Sequence, residues 1–302
     1  MNQIAILQAP SILGLRPSGV ETLPEALLRN NLVERLRARL AGGIVPRHSY
    51  NFQRDAESGM LNVPGLVAYS PRLAQAVHEV LECGDWPLVL GGDCSILLGT
   101  MLALRQRGRY GLLFLDGHAD YYQAEANPNG EAASMELALV TGRGPASLTN
   151  LGGFSSLVRD EDVVTLGIRD HEEQKAYGSQ PLPKSMLALD LSRIRKEGLK
   201  SSAELAIGRL TRPELEGFWI HLDADVLDDA AMPAVDYRLP GGLSVLELVE
   251  VLQLAVGTGK AVGLEVTIFN PRLDETGALG ARFADAIVDG VTGTKADRQL
   301  PR

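Results

Sequence analysis

The sequence predicts an α/β fold of three layers, in which helices cover both faces of one mainly parallel sheet. Short apolar runs alternate with longer helical patterns along nearly the whole chain, and this alternation is typical of doubly wound α/β domains. The apolar runs are continuous, as expected for strands that are buried on both faces. Because no repeat, charge block or linker divides the sequence, we expect one domain over residues 1–302.

The strands and helices are predicted from local patterns. Strands are expected at residues 4–8, 88–90, 112–115, 163–166, 186–189, 218–222 and 262–268. Helices are expected at residues 71–83, 95–107, 201–209 and 245–256, among others. Ser70 and Pro71 form a helix-start pattern, and Ser244 with Glu247 forms a capping-box pattern.

Two segments lack the regular alternation. Residues 121–153 are rich in Asn, Gly, Ser and Pro and are expected to form a long loop system around a short helix at 135–140. Long loops above a sheet commonly carry function. Residues 292–302 are predicted to form a polar tail.

Composition excludes several classes of protein. The 302 residues carry a net charge of −9, whereas nucleic-acid binding requires a basic surface. No apolar run approaches the roughly 20 residues of a membrane span, and residues 1–4 lack the features of a signal peptide. We therefore expect a soluble cytoplasmic protein with no membrane or nucleic-acid partner, in which Cys83 and Cys94 are reduced.

Acidic side chains follow two predicted strands. Asp116, His118 and Asp120 end the run LLFLDGHAD, and Asp223 and Asp225 end the run FWIHLDAD. Ligand sites of open parallel sheets lie beyond the carboxyl ends of the strands. Such acids also cap helices or solvate turns, but four carboxylates at one edge would repel one another without a cation. We predict a site for divalent cations, and the shared carboxylates suggest two ions bridged by one hydroxide.

The motifs GGDCS (residues 91–95), DGHAD (116–120) and DADVLDD (223–229) resemble the three metal motifs of the ureohydrolases, in order and spacing. This family comprises arginase, agmatinase and formiminoglutamase. The stretches LGIRD, LPGGLS and GLEVTIFNPRLD extend the resemblance from about residue 4 to residue 290. The resemblance implies an arginase-like fold, a small-molecule substrate and a homo-oligomer, either a trimer or a hexamer. It also implies hydrolysis of a linear C–N bond in an amidine, guanidine or formimino compound by a hydroxide that bridges two Mn²⁺ ions.

The resemblance also assigns roles to individual residues. Asp116 and Asp223 would bridge both ions, and His118 and Asp225 would complete the ligand set of one ion. Position 94 and Asp120 would complete the ligand set of the other ion. Asp120 and His118 are the predicted catalytic residues, and Asp120 would steady the hydroxide and handle its proton.

The chain departs from this pattern at Cys94, where the family usually has histidine. A thiolate suits Zn²⁺, Co²⁺ or Fe²⁺ better than Mn²⁺, and the start of a helix lowers the pKa of a thiol. Alternatively, Cys94 is a neutral thiol and its metal site is weak or empty. Two further hypotheses then remain: a one-metal, deacetylase-like amidohydrolase that uses Asp116, His118 and Asp223, or a non-catalytic subunit.

The substrate side departs further, which argues against arginase activity itself. Ala133 and Ser134 stand where the family often has a His–Gly pair, and Ile268 replaces the acid two residues before Asn–Pro. His221 is interpreted as support behind the ligands or as a packed histidine. The candidate substrate-binding residues are Asn129, Ser134, His171, Glu172 and Glu265.

Overall fold

A computed structural model describes residues 3–293. These residues form one eight-stranded sheet of order β2-β1-β3-β8-β7-β4-β5-β6, in which all neighbouring strands run parallel. The strands are β1 (Ile4–Ala9), β2 (Arg39–Gly43), β3 (Trp86–Gly91), β4 (Tyr110–Leu115), β5 (Val163–Leu166), β6 (Leu187–Leu189), β7 (Gly217–Asp223) and β8 (Ala261–Thr267).

Helices cover both faces of this sheet, which confirms the predicted three-layer α/β fold. Helices α3, α4 and α5 pack with one hydrophobic core, and α1, α9, α10 and α11 pack with the other. None of the helices within residues 3–293 is both long and apolar enough to cross a membrane. The helices are α1 (Leu23–Leu28), α2 (Leu32–Arg35), α3 (Val63–Glu82), α4 (Leu97–Arg107), α5 (Glu136–Val140), α6 (Ala146–Thr149), α7 (His171–Tyr177), α8 (Leu191–Glu197), α9 (Leu199–Leu210), α10 (Val245–Gly257) and α11 (Ala278–Thr292).

The seven predicted strands correspond to β1 and β3 through β8, and the prediction missed β2. Strand β2 is the outer strand beside β1, and most of its residues are exposed. An edge strand with one neighbour and mostly exposed side chains needs no continuous apolar run. The pattern that revealed the other strands is therefore missing from the sequence Arg-Leu-Ala-Gly-Gly.

The predicted helix start is right for α10 and wrong for α3. The capping box of Ser244 and Glu247 is present at the start of α10. The predicted start of a helix at Pro71 is wrong, because α3 begins at Val63 and contains Pro71. A proline inside a helix removes one backbone hydrogen bond, and the long buried face of α3 offsets that loss. The predicted tail falls almost wholly outside the described residues, which end at Gly293.

The strand order brings the predicted site residues together. Strands β3, β8, β7 and β4 are neighbours at the centre of the sheet. Their register aligns Leu115 with Leu222, and Asp223 with Thr267. The segments that follow β3, β4 and β7 therefore emerge side by side at one edge, as expected for ligand sites in parallel sheets.

Candidate metal centre and substrate cavity

The first group of ligand-type side chains faces a cavity, and we call it the cavity-side cluster. It consists of Asp116, His118 and Asp225, whose ligand atoms all lie within 4.8 Å of one another. His118 Nδ1 lies 2.8 Å from Asp225 Oδ2. The backbone amide of Gly117 donates to Asp225 Oδ1 at 2.9 Å. The turn after β4 thus fixes the carboxylate that the turn after β7 supplies.

A second group lies below the first, away from solvent, and we call it the buried cluster. It consists of Cys94, Asp116, Glu136 and His221, and their ligand atoms also lie within 4.8 Å of one another. All four residues are buried. Cys94 stands in the turn after β3, Asp116 follows β4, Glu136 begins α5 and His221 lies within β7.

Asp116 belongs to both clusters. Its Oδ1 accepts a hydrogen bond from the His118 backbone amide at 2.6 Å and lies 3.8 Å from His118 Nδ1. Its Oδ2 has no hydrogen-bond partner and lies 3.9 Å from His221 Nε2. One carboxylate therefore presents one oxygen to each cluster.

Asp223 also lies between the two clusters. Its Oδ1 accepts from the Asp225 backbone amide at 2.8 Å. Its Oδ2 accepts from the Cys94 thiol at 2.8 Å. The thiol also lies 3.1 Å from Thr267 Oγ1. This geometry joins Cys94 to the acid cluster, and the sulfur lies among carboxylates.

Burial dominates the electrostatics of the metal-free centre. It raises the pKa values of Asp116, Asp223 and Glu136 well above their ordinary range, and the neighbouring carboxylates raise them further. Burial and the charge of Asp223 also raise the pKa of the Cys94 thiol well above its usual value. The expectation that a helix start lowers this pKa is therefore wrong for the metal-free protein. A bound cation would lower the pKa of the thiol, because its positive charge stabilises the thiolate.

His118 and Asp225 behave as an ion pair. Burial alone would lower the pKa of His118, but the adjacent Asp225 carboxylate outweighs that effect and raises the value to about 10. Burial likewise opposes ionisation of Asp225, yet the His118 imidazolium lowers the pKa of this carboxyl. In the absence of a cation, a proton on His118 thus supplies the positive charge of the cavity-side cluster.

The side chains present fit divalent cations. Asp116 Oδ2, His118 Nε2, His221 Nε2 and both carboxylate oxygens of Glu136 are buried and have no hydrogen-bond partner. Buried polar atoms without partners are rare because each costs free energy. Carboxylate, imidazole and thiol groups are all ligands of first-row divalent metals, so bound cations would satisfy these atoms.

Asp120 lies where the centre meets the cavity. Its backbone has a φ of +45°, in the left-handed region that residues other than glycine seldom adopt. Its side chain lines the cavity and lies beside Glu136. Burial raises the pKa of Asp120 to about 6. A strained backbone at a site of charged groups is typical of functional positions.

The cavity above the centre has a volume of about 440 Å³. Asp120, Asp223 and Asp225 form the floor of the cavity, and residues of the long loop and of α7 form its wall. A second cavity, of about 660 Å³, lies near Trp86 and Asp85 at the opposite edge of the sheet and contains none of the predicted site residues. The lining residues of the first cavity include Leu15, His118, Asp120, Asn129, Ala133, Ser134, Glu172, Glu173, Asp223, Asp225, Asp236, Tyr237 and Ile268.

The predicted substrate-binding residues divide into two groups. Asn129, Ser134 and Glu172 line the cavity, where a substrate can reach them. His171 and Glu265 are absent from its lining. The His171 side chain is 57% exposed and lies 3.6 Å from Asp190 Oδ2. Glu265 is fully buried behind His221, so neither side chain has the position on the cavity wall that the prediction required.

Sequence reasoning missed Glu136 altogether. A signal was present, because Glu136 is the only charged residue in the apolar run from 132 to 140. His221 was interpreted as support for the ligands or as a packed histidine, although it stands two positions before Asp223 on the same strand. Residues two apart on a strand point to the same face, and the structure places His221 in the buried cluster itself.

Comparison with known proteins identifies the family of the chain. The sequence model of the Arginase family matches residues 2–292. An arginase of Bacillus caldovelox is 30% identical over 303 residues, which is 98% of this chain and 99% of that protein. An arginase of Bacillus subtilis is 29% identical and covers 97% and 98% of the two chains.

The solved structure of the Bacillus caldovelox arginase superimposes with a TM-score of 0.87 at 28% identity. The match covers 98% of this chain and 100% of that one. The chain therefore belongs to the arginase family, whose members are hydrolases of carbon–nitrogen bonds other than peptide bonds.

Proposed function

We propose that this protein is a two-metal hydrolase of a small cationic amidine, guanidine or formimino compound. The observation that carries the proposal is the position of Asp116, whose two oxygens face separate clusters of ligand-type side chains. A carboxylate in this position is suited to bridge two divalent cations. Mn²⁺ is the cation that the family resemblance implies, whereas the Cys94 thiol favours Zn²⁺, Co²⁺ or Fe²⁺.

The residues have separate tasks in the proposed reaction. Divalent cations held by the cavity-side cluster and the buried cluster would supply Lewis acidity, which activates a water molecule and polarises the carbon atom of the substrate. Asp120 faces the cavity and accepts the proton that this water loses when its oxygen bonds to the amidine carbon. Asp120 then returns a proton to the nitrogen as the C–N bond breaks. A guanidine substrate would yield urea and an amine.

The cavity walls support a cationic substrate. Glu172, Glu173 and Asp236 line the cavity beside the acids of its floor. No Lys or Arg is found among the described residues that line it. Amidines and guanidines are cations at neutral pH, so a negative cavity attracts them. The apolar side chains of Leu15 and Ile268 provide contact surface for a carbon chain.

A substrate screen with controlled metal content tests the proposal. Metal-free protein is reloaded with Mn²⁺, Zn²⁺, Co²⁺ or Fe²⁺ and assayed on guanidino, formimino and acylated amines. We expect cleavage of a guanidino or formimino compound and two ions per chain by elemental analysis. One ion with cleavage of acylated amines alone would support the deacetylase-like alternative. No bound metal and no turnover would support the non-catalytic alternative.

The remaining expectations concern the state of the protein. We propose that residues 1–302 form one domain and that the enzyme acts in the cytoplasm as a homo-oligomer. The family resemblance implies a trimer or a hexamer. Light scattering on the purified protein should give three or six times the chain mass of 32.4 kDa. A mass equal to one chain would contradict the proposed assembly.

A further inference from the structure

The imidazole of His221 has one occupied and one unoccupied nitrogen. Its Nδ1 lies 2.7 Å from Glu265 Oε1. In the neutral imidazole, a hydrogen bond from Nδ1 to a carboxylate leaves the lone pair on Nε2. His221 Nε2 is buried without a hydrogen-bond partner, and Asp116 Oδ2, also without a partner, lies 3.9 Å away. Two buried electron-rich atoms that face each other call for a cation between them.

The surroundings of His221 hold its ring in this orientation. The ring stacks on Phe114 with a centroid distance of 4.7 Å and an interplanar angle of 9°. Glu265 is in turn fixed by Thr100, whose hydroxyl donates to Glu265 Oε2 at 2.7 Å. A carboxylate behind the far nitrogen of a histidine is the usual arrangement around histidines that bind metals. Thr100, Glu265 and His221 form such a chain, and it ends at the buried cluster.

Glu136 completes the buried cluster from the opposite side. Both its carboxylate oxygens are buried and meet no hydrogen-bond donor, and its neighbour Asp120 is another acid. The ligand atoms of Cys94, Asp116, Glu136 and His221 lie within 4.8 Å of one another. Ligands at about 2.0–2.3 Å from one Zn²⁺ are at most about 4.6 Å apart. Small adjustments of these side chains would therefore bring all four to one ion.

We infer that Cys94, Asp116, Glu136 and His221 bind one thiophilic divalent cation, of the class of Zn²⁺, Co²⁺ or Fe²⁺. In this arrangement His221 supplies the imidazole that position 94 lacks, and Glu136 adds a carboxylate. Glu265 acts as a positioning residue, because it fixes the ring of His221 without reaching the ion. The inference deepens the proposed function and rests on it for the second ion, which the cavity-side cluster holds.

Zn²⁺ titration of the metal-free protein tests this assignment. We expect two ions per chain in the wild type and one ion in His221→Asn. The affinity for the lost ion should fall by more than about 100-fold, since changes behind metal ligands already cost 10–100-fold. His78→Asn is the matched control, because His78 lies on α3, belongs to neither cluster and has its Nε2 4.0 Å from Glu82 Oε1. Two ions bound by His221→Asn with wild-type affinity would overturn the inference.

A spectroscopic readout reports on the buried cluster independently of activity. The Co²⁺-loaded wild type should show a thiolate-to-cobalt charge-transfer band, and Cys94→Ser should lose it. Glu265→Gln keeps the volume of the side chain and should weaken binding of the Co²⁺ that gives this band by about 10–100-fold. If His221→Asn does not fold, Glu265→Gln still tests whether His221 binds the cation. An unchanged affinity in Glu265→Gln, or a wild type with no charge-transfer band, would rule the inference out.

The same measurements separate this inference from the proposed function. If the wild type binds two ions and His221→Asn binds the same two equally well, only the inference about the buried cluster fails. If the wild type binds no cation and cleaves none of the screened compounds, the proposed function fails as well.

Discussion

The cavity-side cluster and the buried cluster share Asp116 but differ in exposure and in ligand chemistry. The cavity-side cluster contains only carboxylates and one imidazole, and its His118 side chain is 14% exposed. The buried cluster contains a thiol, and its His221 side chain is fully buried. A site that reaches a cavity can take up water and substrate, whereas a closed site holds its ion by protein ligands alone.

The two clusters also differ in how far their residues depart from the ureohydrolase motifs. The cavity-side cluster retains the residues that the ureohydrolase motifs predict. The buried cluster has Cys94 in place of histidine, and neighbouring elements present His221 and Glu136 at the same point. The loss of one ligand can be offset when adjacent strands and helices already converge there.

Asp116→Asn should have the largest effect, since it acts on both clusters at once. An amide carries no charge and cannot bridge two cations, so we expect both ions to be lost. Turnover should fall by more than about 100-fold, the range seen when one key stabilising group is removed. Elemental analysis and an activity assay measure these effects. Asp228→Asn is the control, because Asp228 accepts the Ala230 amide through Oδ1 and an Asn oxygen can do the same.

His118→Asn should affect one cluster and spare the other. His118 belongs to the cavity-side cluster alone, so the variant should keep one ion per chain, with the charge-transfer band of Cys94 intact in the Co²⁺ form. Activity should be lost because the retained ion does not face the cavity. Loss of both ions would show that the two clusters are not separable sites.

Cys94→His sharpens the comparison by removing sulfur from the buried cluster. The variant should bind Mn²⁺ better relative to Zn²⁺, by about tenfold or more, because an imidazole is a harder ligand than a thiolate. Competitive metal titration measures this ratio. Cys94→Ser is the control for the added volume, since it removes sulfur without enlarging the side chain. An unchanged ratio in both variants would mean that the thiol does not bind the metal.

The stability of the metal-free protein should fall as the pH rises. Burial raises the pKa of Asp120 to about 6. It also raises the pKa values of Asp116, Asp223 and Glu136 above those of the unfolded chain. The folded protein therefore holds more protons than the unfolded chain, and its stability decreases as the pH rises through these values.

Thermal unfolding with a chelator measures this dependence. The midpoint should drop by roughly a few °C between pH 5 and pH 8, and the drop should be smaller after metal is added, because cations replace the protons. A midpoint that rises with pH in the metal-free protein would contradict the raised pKa values of the buried acids.

Glu173→Gln should have the smallest effect, because it changes an exposed charge at the cavity wall that belongs to neither cluster. Glu173 is exposed and lines the cavity, and exposed charge pairs contribute only about 0.2–1 kcal/mol. We expect KM for a cationic substrate to rise by at most about fivefold, with kcat unchanged. High salt should abolish the difference, since it screens surface charge. A change in kcat without a change in KM would argue against a role in binding.

The sequence by itself determined the fold class and most of the ligand-type side chains at the edge of the sheet. Continuous apolar runs revealed the strands that are covered on both faces, and Asp116, His118, Asp120, Asp223 and Asp225 stand directly at the ends of two such runs. Residues that directly follow neighbouring parallel strands emerge at the same edge of the sheet. Local pattern was therefore enough to predict these side chains at one edge of the sheet.

Only the tertiary structure decided which side chains complete the buried cluster and which reach the cavity. Glu136 and Cys94 are 42 positions apart in the chain, and Glu136 lies in a loop system whose path no periodic pattern predicts. Glu265 meets His221 because β8 pairs with β7, with these two residues in register. Such contacts depend on strand order and loop path, which are set by packing over the whole molecule.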